Sequence, residues 1–254
     1  MKIMEALVSG IAEYFSRNNY KKAVVGLSGG VDSAVSCALS VKALGNENVT
    51  TILMPEIGVT SEANIRDAES LAKNLKIRHY VIPVNDFVSN FQKINKKFGF
   101  RNENFALANT KARARMMILY YYANINKALV VGTSNKSEAV LGYATKHGDN
   151  AVDVQVIGDL WKTQVIELAK ELGIPEQIIE KTPTAELVAG QTDEGELGAP
   201  YPILDKILKL HFEDKKSKEE IIKIGFDSKL VEGMFERIRQ NKHKGTGPVV
   251  LKIS

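Results

Sequence analysis

One short stretch, residues 26–33, constrains the fold of this chain more than any other. It reads Gly-Leu-Ser-Gly-Gly-Val-Asp-Ser, follows the apolar run 23–25 and opens a helical pattern over 33–44. A strand, a glycine turn and a helix are therefore expected to meet here. Glycines 29 and 30 let backbone N–H groups approach an anion, and a helix N-terminus favours negative charge. The pattern predicts a phosphate-binding loop at the end of a strand.

The loop lacks the lysine that a Walker loop places before its helix, so another cation has to neutralise a bound phosphate. Asp32 would repel phosphate unless a cation lay between them, which predicts a Mg²⁺ ligand. The alternative is a glycine turn without a ligand, which the two hydroxyls and one carboxylate around the turn disfavour. The stretch resembles the SGGxDS signature of the PP-loop ATP pyrophosphatases, which adenylate a substrate and release pyrophosphate.

Strand and helix patterns alternate along the chain. We expect an α/β fold with a Rossmann-like, doubly wound parallel sheet of about five strands and additional C-terminal helices. The clearest strands are predicted at 23–25, 49–54, 79–84 and 128–131. Ligands of such sheets bind beyond the carboxyl ends of the strands, so Met54 is a candidate wall for an adenine.

Two helical segments precede the fourth strand. Residues 87–98 predict a helix, and 98–101 are ambiguous and could form a mobile joint. Residues 104–125 predict a long helix with one apolar side, formed by Leu107, Ala114, Met117, Ile118 and Tyr121. Its basic cluster Lys111, Arg113 and Arg115 is either a solvated face or sends at least one arginine toward a phosphate.

Beyond the fourth strand, residues 132–135 predict an exit turn at the same edge of the sheet. Glu138 follows and is either a surface glutamate or a second Mg²⁺ ligand; its place after a strand favours the ligand. Lys162 opens a helix that ends near Gly173. Because a cation in the first turn opposes the helix dipole, it is either solvated or held by an anion such as triphosphate, and the missing loop lysine favours the anion. Residues 182–200 lack periodicity, which predicts a loop or lid.

Composition excludes several classes of protein. The net charge of +4 is too small to indicate nucleic-acid binding, and no uncharged run is long enough to span a membrane. The single cysteine, Cys37, lies among apolar residues of a predicted helix and cannot form an intramolecular disulfide. We therefore expect a cytoplasmic protein with a buried, structural thiol.

With these segments in place, the whole chain resembles the ammonia-dependent NAD synthetases. The blocks that carry the resemblance are GLSGGVDS at 26–33, KARARM at 111–116, GTSNKSE at 132–138, TKHGDNAVD at 145–153, DLWKTQV at 159–165, KTPTAEL and TDEGELG within 181–198, and HK at 243–244. The resemblance implies one domain over 1–254, with an N-terminal helix at 1–20, an α/β core at 21–180, a lid at 181–200 and a helical appendage at 201–254.

The resemblance also implies the reaction and its residues. Deamido-NAD would be adenylated by ATP with Mg²⁺, and ammonia would then displace AMP to give NAD. ATP is implied at Gly26, Leu27, Ser28, Gly29, Gly30, Val31, Asp32, Ser33, Met54, Thr133, Lys162 and Thr184. Deamido-NAD is implied at Arg113, Lys146, Asp153, His243 and Lys244, and Mg²⁺ at Asp32 and Glu138. Asp32, Lys162 and Asp153 are the implied catalytic residues, and the family is dimeric.

Two other functions compete with this one. A tRNA-modifying PP-loop enzyme with thiolation chemistry needs reactive cysteines, for which Cys37 is a poor candidate. A non-catalytic ATP-binding module would not need Glu138, Lys162 and a lid together. We also expect ammonia rather than glutamine as the nitrogen donor, because an amidotransferase site needs a nucleophilic cysteine.

Overall fold

The computed structural model describes residues 2–99, 104–184, 186–187, 190–247, 249–251 and 253. The strands are β1 (Lys22–Gly26), β2 (Val49–Leu53), β3 (Arg78–Val81), β4 (Ala128–Gly132) and β5 (Val154–Gln155). The helices of the N-terminal half are α1 (Ile3–Arg17), α2 (Val31–Leu44), α3 (Glu62–Asn74), α4 (Asn85–Phe98) and α5 (Asn104–Asn126). Those of the C-terminal half are α6 (Lys136–Leu141), α7 (Lys162–Glu171), α8 (Glu176–Ile179), α9 (Asp193–Leu197), α10 (Tyr201–Phe212), α11 (Lys218–Lys223) and α12 (Ser228–Asn241).

The five strands form one parallel sheet in the order β3-β2-β1-β4-β5. This confirms the predicted fold class. β1 lies at the centre, where Val24 pairs with Thr50 on one side and with Val130 on the other. Because the chain runs outward from β1 first to β2 and later to β4, the carboxyl ends of β1 and β4 flank a crevice at the point where the strand order reverses.

Helices cover both faces of the sheet, as a doubly wound fold requires. Side chains of α1, α2 and α7 pack with one face in a first core, which includes Phe15, Val25 and Leu39. Side chains of α4 and α5 pack with Val24 and Val130 on the other face. Cys37 lies fully buried in the first core, and burial raises the pKa of its thiol to about 12, so it is an inert packing residue.

The C-terminal helices form a third core beside the sheet. Trp161, Tyr201 and Leu204 are among its fully buried side chains, and α6, α9, α10, α11 and α12 all contribute to it. This core lies next to the carboxyl edge of the sheet, because α6 and Trp161 directly follow strands or their exit turns. None of the helices in the described ranges is long and apolar enough to cross a membrane.

Two predicted segments differ from the structure, and a third lies partly outside the described residues. β3 ends at Val81 rather than at residue 84. Ile82 N and Val84 N still donate to the Leu53 and Pro55 carbonyls at 2.8 and 2.9 Å, but Pro55 has no N–H to donate in return, so the ladder is not completed. Residues 193–197 form α9 instead of a loop, since the Thr192 side chain caps the helix start and Gly198 ends it. The predicted joint at 98–101 is described only to Gly99, which ends α4 in a left-handed conformation; residues 100 and 101 lie outside the described part.

Candidate active site

A cavity of about 630 Å³ opens at the carboxyl edge of the sheet, a size suited to a nucleotide-sized ligand. Its walls come from the loop after β1, the turn after β4, the end of β2 and the segment between α8 and α9. The predicted ATP residues that line it are Gly26, Leu27, Ser28, Gly30, Val31, Asp32, Ser33, Met54, Thr133, Lys162 and Thr184. The fold therefore brings this predicted set together around one space, with Gly29 beside it in the same loop.

The loop after β1 needs glycine at position 29. Its φ is +87°, and a Cβ there would lie 2.4 Å from the backbone oxygen of Asn64 on α3. Hydroxyl groups close the loop, since Ser28 Oγ accepts from the N–H of Gly30 at 3.2 Å and lies 3.1 Å from Ser33 Oγ. The loop is thus shaped before any ligand binds, at the N-terminus of α2, where an anion is favoured.

Asp32 sits in the first turn of α2 and meets two other elements. Its Oδ1 accepts from Asn135 Nδ2 at 2.9 Å, and its Oδ2 pairs with the Lys162 ammonium. The same ammonium lies 3.9 Å from Glu138 Oε1. The starts of α2, α6 and α7 therefore meet in a cluster of two carboxylates and one cation, which we call the Asp32–Lys162–Glu138 cluster.

Local sequence signals position the members of this cluster. Asn135 and Glu138 form a capping box, in which Glu138 N donates to Asn135 Oδ1 at 3.0 Å and Asn135 N donates to Glu138 Oε2 at 3.3 Å. Lys162 is the first residue of α7 and only 2% exposed. The interpretation of Lys162 as a solvated lysine is therefore wrong. Carboxylates hold it in the structure, and its contact with a phosphate stays a prediction.

Burial and mutual charge set the ionisation of the cluster. Burial, together with the Asp32 carboxylate, raises the pKa of Glu138 well above its ordinary value, although Lys162 acts in the opposite direction. Burial also lowers the pKa of Lys162, but Asp32 and Glu138 outweigh it and the net pKa lies above the ordinary value. When both carboxyl groups are ionised, two negative charges share the one Lys162 ammonium.

A third carboxylate, Asp193, lies at the same cavity and was missed by sequence reasoning. It is 4% exposed, and both Tyr143 and Tyr201 donate their hydroxyls to it at 3.1 Å. Burial raises the pKa of Asp193, while Lys162 and the two tyrosine hydrogen bonds lower it. The Lys162 ammonium also lies 5.2 Å from the centre of the Tyr201 ring, a cation–π distance. The capping signal at Thr192 could have indicated the helix, but not the burial of Asp193.

The basic cluster of α5 is solvated only in part. Lys111 is 7% exposed, pairs with Glu56 Oε2 at 2.5 Å and donates to the Leu187 carbonyl at 2.8 Å. Arg115 lines the cavity and donates to the Met54 carbonyl at 3.0 Å. Arg113, in contrast, is exposed. The predicted apolar side of this helix is also wrong in part, because Met117 and Tyr121 are exposed.

Lys181 is a second cation at the phosphate loop that sequence reasoning missed. It donates to the Gly29 carbonyl at 3.1 Å and pairs with Asp67 Oδ2 of α3 at 2.6 Å. It also lines the cavity. Its position in the chain, far from the loop and outside a periodic segment, offered no signal of this contact.

The residues predicted for deamido-NAD divide into two places. Arg113 donates to the Lys146 carbonyl at 3.2 Å, and Lys146 Nζ donates to the His243 carbonyl at 2.8 Å. Lys244 is anchored beside them, with Nζ donating to the Gly142 carbonyl at 2.8 Å, and of these four residues it is the one that lines the cavity. The four residues thus form a basic rim next to the cavity.

Asp153 is not part of that rim. Its Oδ2 accepts from the Val130 N–H at 2.7 Å and its Oδ1 accepts from the Tyr120 hydroxyl at 3.3 Å. Burial and this carboxylate raise the pKa of Tyr120 to about 12. Asp153 does not line the cavity either. In this structure it therefore ties β4 to β5 and α5, and its substrate contact stays a prediction.

Comparison with known proteins decides the family. The NAD synthase family model matches residues 3–248. The NH(3)-dependent NAD(+) synthetase of Methanocaldococcus jannaschii is 44% identical over 253 residues, which cover 99% of this chain and 97% of that protein. The chain belongs to the NAD synthase family. As a member it is a ligase that uses ATP as a substrate.

Solved structures agree with this membership in the NAD synthase family. The NH3-dependent NAD synthetase of Campylobacter jejuni superposes with a TM-score of 0.83 at 31% identity, covering 99% of this chain and all of that one. An NMN synthetase of Francisella tularensis superposes with a TM-score of 0.86 at 32% identity, covering 99% of this chain and 98% of that one. The shared fold extends over the whole chain, including the C-terminal helices.

Proposed function

We propose that this chain is an ammonia-dependent NAD synthetase with the following chemistry. An oxygen of the nicotinate carboxylate of deamido-NAD attacks the α-phosphorus of ATP, and the bond to pyrophosphate breaks. Ammonia then attacks the acyl carbon of the adenylate, AMP leaves, and a proton is released with NAD. The substrate supplies the nucleophile, so the enzyme's task is to orient both substrates and to stabilise the departing pyrophosphate.

The Asp32–Lys162–Glu138 cluster is the observation that carries this proposal. It lies where the loop after β1 can hold phosphates, and it contains the cation that this loop lacks in its own sequence. In the complex, Lys162 contacts the triphosphate and stabilises the charge on the departing pyrophosphate. Thr133 and Thr184 line the same cavity as further polar contacts for ATP.

The cluster also fits a Mg²⁺ ion. Magnesium in nucleotide sites is bound by one or two carboxylates together with waters and substrate phosphates. Asp32 and Glu138 supply two carboxyl groups, and the Asp32 charge, which together with burial raises the pKa of Glu138, is one that a bound cation would compensate. Among the described residues no group of three or more acidic, histidine or cysteine side chains could hold a metal. When bound, Mg²⁺ neutralises phosphate charge.

Deamido-NAD binds at the basic rim formed by Arg113, Lys146, His243 and Lys244. A dinucleotide carries phosphate charge, which suits guanidinium and ammonium groups. The rim adjoins the cavity at Lys244, so its ligand can present a carboxylate to a nucleotide inside. Asp153 contributes to substrate binding by fixing the position of β5. A direct contact with deamido-NAD would require its carboxylate to give up the hydrogen bond from the Val130 N–H.

The enzyme acts as a homodimer. An exposed apolar stripe runs along α5 through Met117, Tyr121 and Ile125, which are 44%, 72% and 64% exposed. Phe98 at the end of α4 is 64% exposed. Arg113 lies on the same stripe, one turn before Met117. In a two-fold symmetric dimer, the stripe of each copy would pack against the other copy, and each deamido-NAD would bind close to the interface.

The decisive test uses the purified chain with ATP, Mg²⁺, deamido-NAD and ammonium salt. We expect NAD and one pyrophosphate per NAD, and no pyrophosphate release with tRNA as the acceptor. Because neutral ammonia is the nucleophile, the rate at fixed total ammonia should rise with pH below the ammonium pKa. The proposal that ammonia is the nitrogen donor would be contradicted if the chain formed NAD from ammonia-free glutamine and the variant Cys37→Ser did not.

Formation of NMN by amidation of nicotinate mononucleotide is a second candidate. The similarity to the NMN synthetase structure supports it. The ratio of kcat/KM for deamido-NAD and nicotinate mononucleotide decides between the two. We expect deamido-NAD to be preferred, because the match over nearly the full length to the M. jannaschii protein has the higher identity. A cytoplasmic location stays a prediction that cell fractionation can check.

A further inference from the structure

Asp205 is a charged residue at a core position. It lies on α10 beside Leu204 and Leu208 and is 1% exposed. A carboxylate this deeply buried is costly unless hydrogen bonds or opposite charge compensate it. Asp205 does not line the cavity, and its neighbours Leu204 and Leu208 on α10 belong to the core of the C-terminal helices. Its partners therefore decide what it does.

Both carboxylate oxygens of Asp205 bind groups at the starts of other helices. Oδ1 accepts from the Ser137 hydroxyl at 2.5 Å, and Oδ2 accepts from the Thr163 N–H at 2.8 Å. Ser137 Oγ in turn accepts from the Lys162 N–H at 2.9 Å. One side chain of α10 thus joins the first turn of α6 to the first turn of α7.

These two first turns carry two members of the Asp32–Lys162–Glu138 cluster. Ser137 immediately precedes Glu138, and the backbone N–H of Lys162 belongs to the residue whose ammonium pairs with Asp32. The bonds to Asp205 and Ser137 occupy N–H groups that a helix start leaves unpaired. A carboxylate there also compensates the positive end of the α7 dipole, which the Lys162 side chain opposes.

We propose that Asp205 is a positioning residue for adenylation: it sets the separation of the Lys162 ammonium from the Glu138 carboxylate through the backbone of α6 and α7. This inference rests on the proposed function of Lys162. It gives the C-terminal helices a part in catalysis, although neither Asp205 nor Ser137 lines the cavity. Small displacements of a catalytic group lower the rate strongly while leaving substrate affinity nearly intact.

The same two helices offer a matched control. Trp161 Nε1 donates to Glu213 Oε1 at 2.6 Å, which links the residue before α7 to the end of α10. Glu213→Gln retains an acceptor there and does not touch Ser137, Lys162 or Thr163. It therefore reports what a general loosening of α7 against α10 does to the rate.

The experiment measures pyrophosphate release in single-turnover and steady-state assays, with thermal unfolding as a check of folding. For Asp205→Asn we expect kcat to fall about 10- to 100-fold while KM for ATP changes less than about threefold. Glu213→Gln should stay within about threefold of the wild type. Ser137→Ala, which removes the link but keeps Asp205, should reproduce the loss if Asp205→Asn fails to fold.

A double variant separates positioning from a merely structural effect. In a Lys162→Ala background, Asp205→Asn should lower the remaining rate by less than about threefold, because residues that act through one group are not additive. Full multiplication of the two losses, or a loss in Asp205→Asn no larger than in Glu213→Gln, overturns the inference while leaving the proposed activity intact. Normal turnover in Lys162→Ala would reject the role of Lys162 and this inference together. A wild-type chain that forms no NAD would reject the proposed function itself.

Discussion

Asp32 joins three helix starts, and its charge matters more than its shape. Asn at this position keeps the size of the side chain and a hydrogen bond to Asn135, but it loses the charge that pairs with Lys162 and that fits Mg²⁺. We expect Asp32→Asn to keep the fold, because Glu138 still lies beside the Lys162 ammonium, and to lower the adenylation rate by orders of magnitude, about 3 kcal/mol or more of transition-state stabilisation.

Pyrophosphate release at saturating Mg²⁺ measures this effect. Asp159→Asn is the matched control, because Asp159 is an exposed carboxylate that pairs with Lys136 at 2.8 Å. It should leave the rate unchanged. Near-normal turnover of Asp32→Asn would remove Asp32 from the reaction.

Replacement of Lys162 by Ala is expected to destabilise the protein, although the position of Lys162 in the first turn of α7 by itself predicts the opposite. A lysine in the first turn opposes the helix dipole, so Ala there would improve an isolated helix. Lys162 is buried between carboxylates, however, and its loss leaves Asp32 and Glu138 unpaired. We expect Lys162→Ala to lower the free energy of unfolding by about 3–5 kcal/mol near neutral pH.

The loss should depend on pH. The pKa of Glu138 is raised in the folded state, so the folded protein favours the neutral form of this side chain. The contribution of Glu138 protonation to the free energy of unfolding is therefore complete below the unfolded pKa and is lost as pH rises through the folded pKa. Removing Lys162 raises the folded pKa of Glu138 further. The deficit of Lys162→Ala should therefore shrink at about pH 5 relative to about pH 7.5. Urea unfolding at both values checks this, and a deficit that grows toward acid would contradict it.

Among the elements, α5 holds the segment between α8 and α9 to the end of β2. Lys111 makes both contacts, to Glu56 beyond β2 and to the Leu187 carbonyl. We expect Lys111→Met to lower the free energy of unfolding by about 3–5 kcal/mol, because Glu56 stays buried without its partner. The double variant Lys111→Met/Glu56→Gln should recover much of this loss, since it buries no unpaired charge.

Affinity for ATP distinguishes the two contacts of Lys111. Leu187 lines the cavity, so KM for ATP should rise in the single and in the double variant alike, although their stabilities differ. Denaturant unfolding and steady-state kinetics on the same preparations provide both numbers. A double variant as unstable as the single one would show that the ion pair is not the source of the loss.

At the scale of the whole molecule, the exposed stripe of α5 is expected to be the subunit interface. Tyr121→Glu should convert a dimer into a monomer, since a charge in a buried apolar interface lacks compensation. It should also raise KM for deamido-NAD more than KM for ATP, because Arg113 belongs to the stripe. Light scattering after gel filtration measures the mass, and Ile224→Glu is the control at an exposed apolar residue outside α4 and α5. A Tyr121→Glu dimer would place the interface elsewhere.

Contiguous patterns in the sequence determined the framework of this protein. The run before Gly26, the glycine turn and the helix after it predict the phosphate loop, because strand period, glycine φ and helix capping depend on neighbouring residues. Alternation of strands and helices then predicts the parallel sheet and the edge at which ligands bind. The predicted end of β3 and the predicted loop in place of α9 were wrong, since Pro55 beside β3 and the Thr192 cap act through single backbone groups that a periodic pattern does not reveal.

Only the tertiary structure decided which charges meet. Asp32 and Lys162 are 130 residues apart in the chain, and Ser137 and Asp205 are 68 apart. Their contacts depend on how α2, α6, α7 and α10 pack at one edge of the sheet. Burial then decides whether a charged side chain is solvated or paired, and burial is a property of the packed fold. For this reason Lys162 could be placed on a helix from the sequence, but its carboxylate partners could not be named.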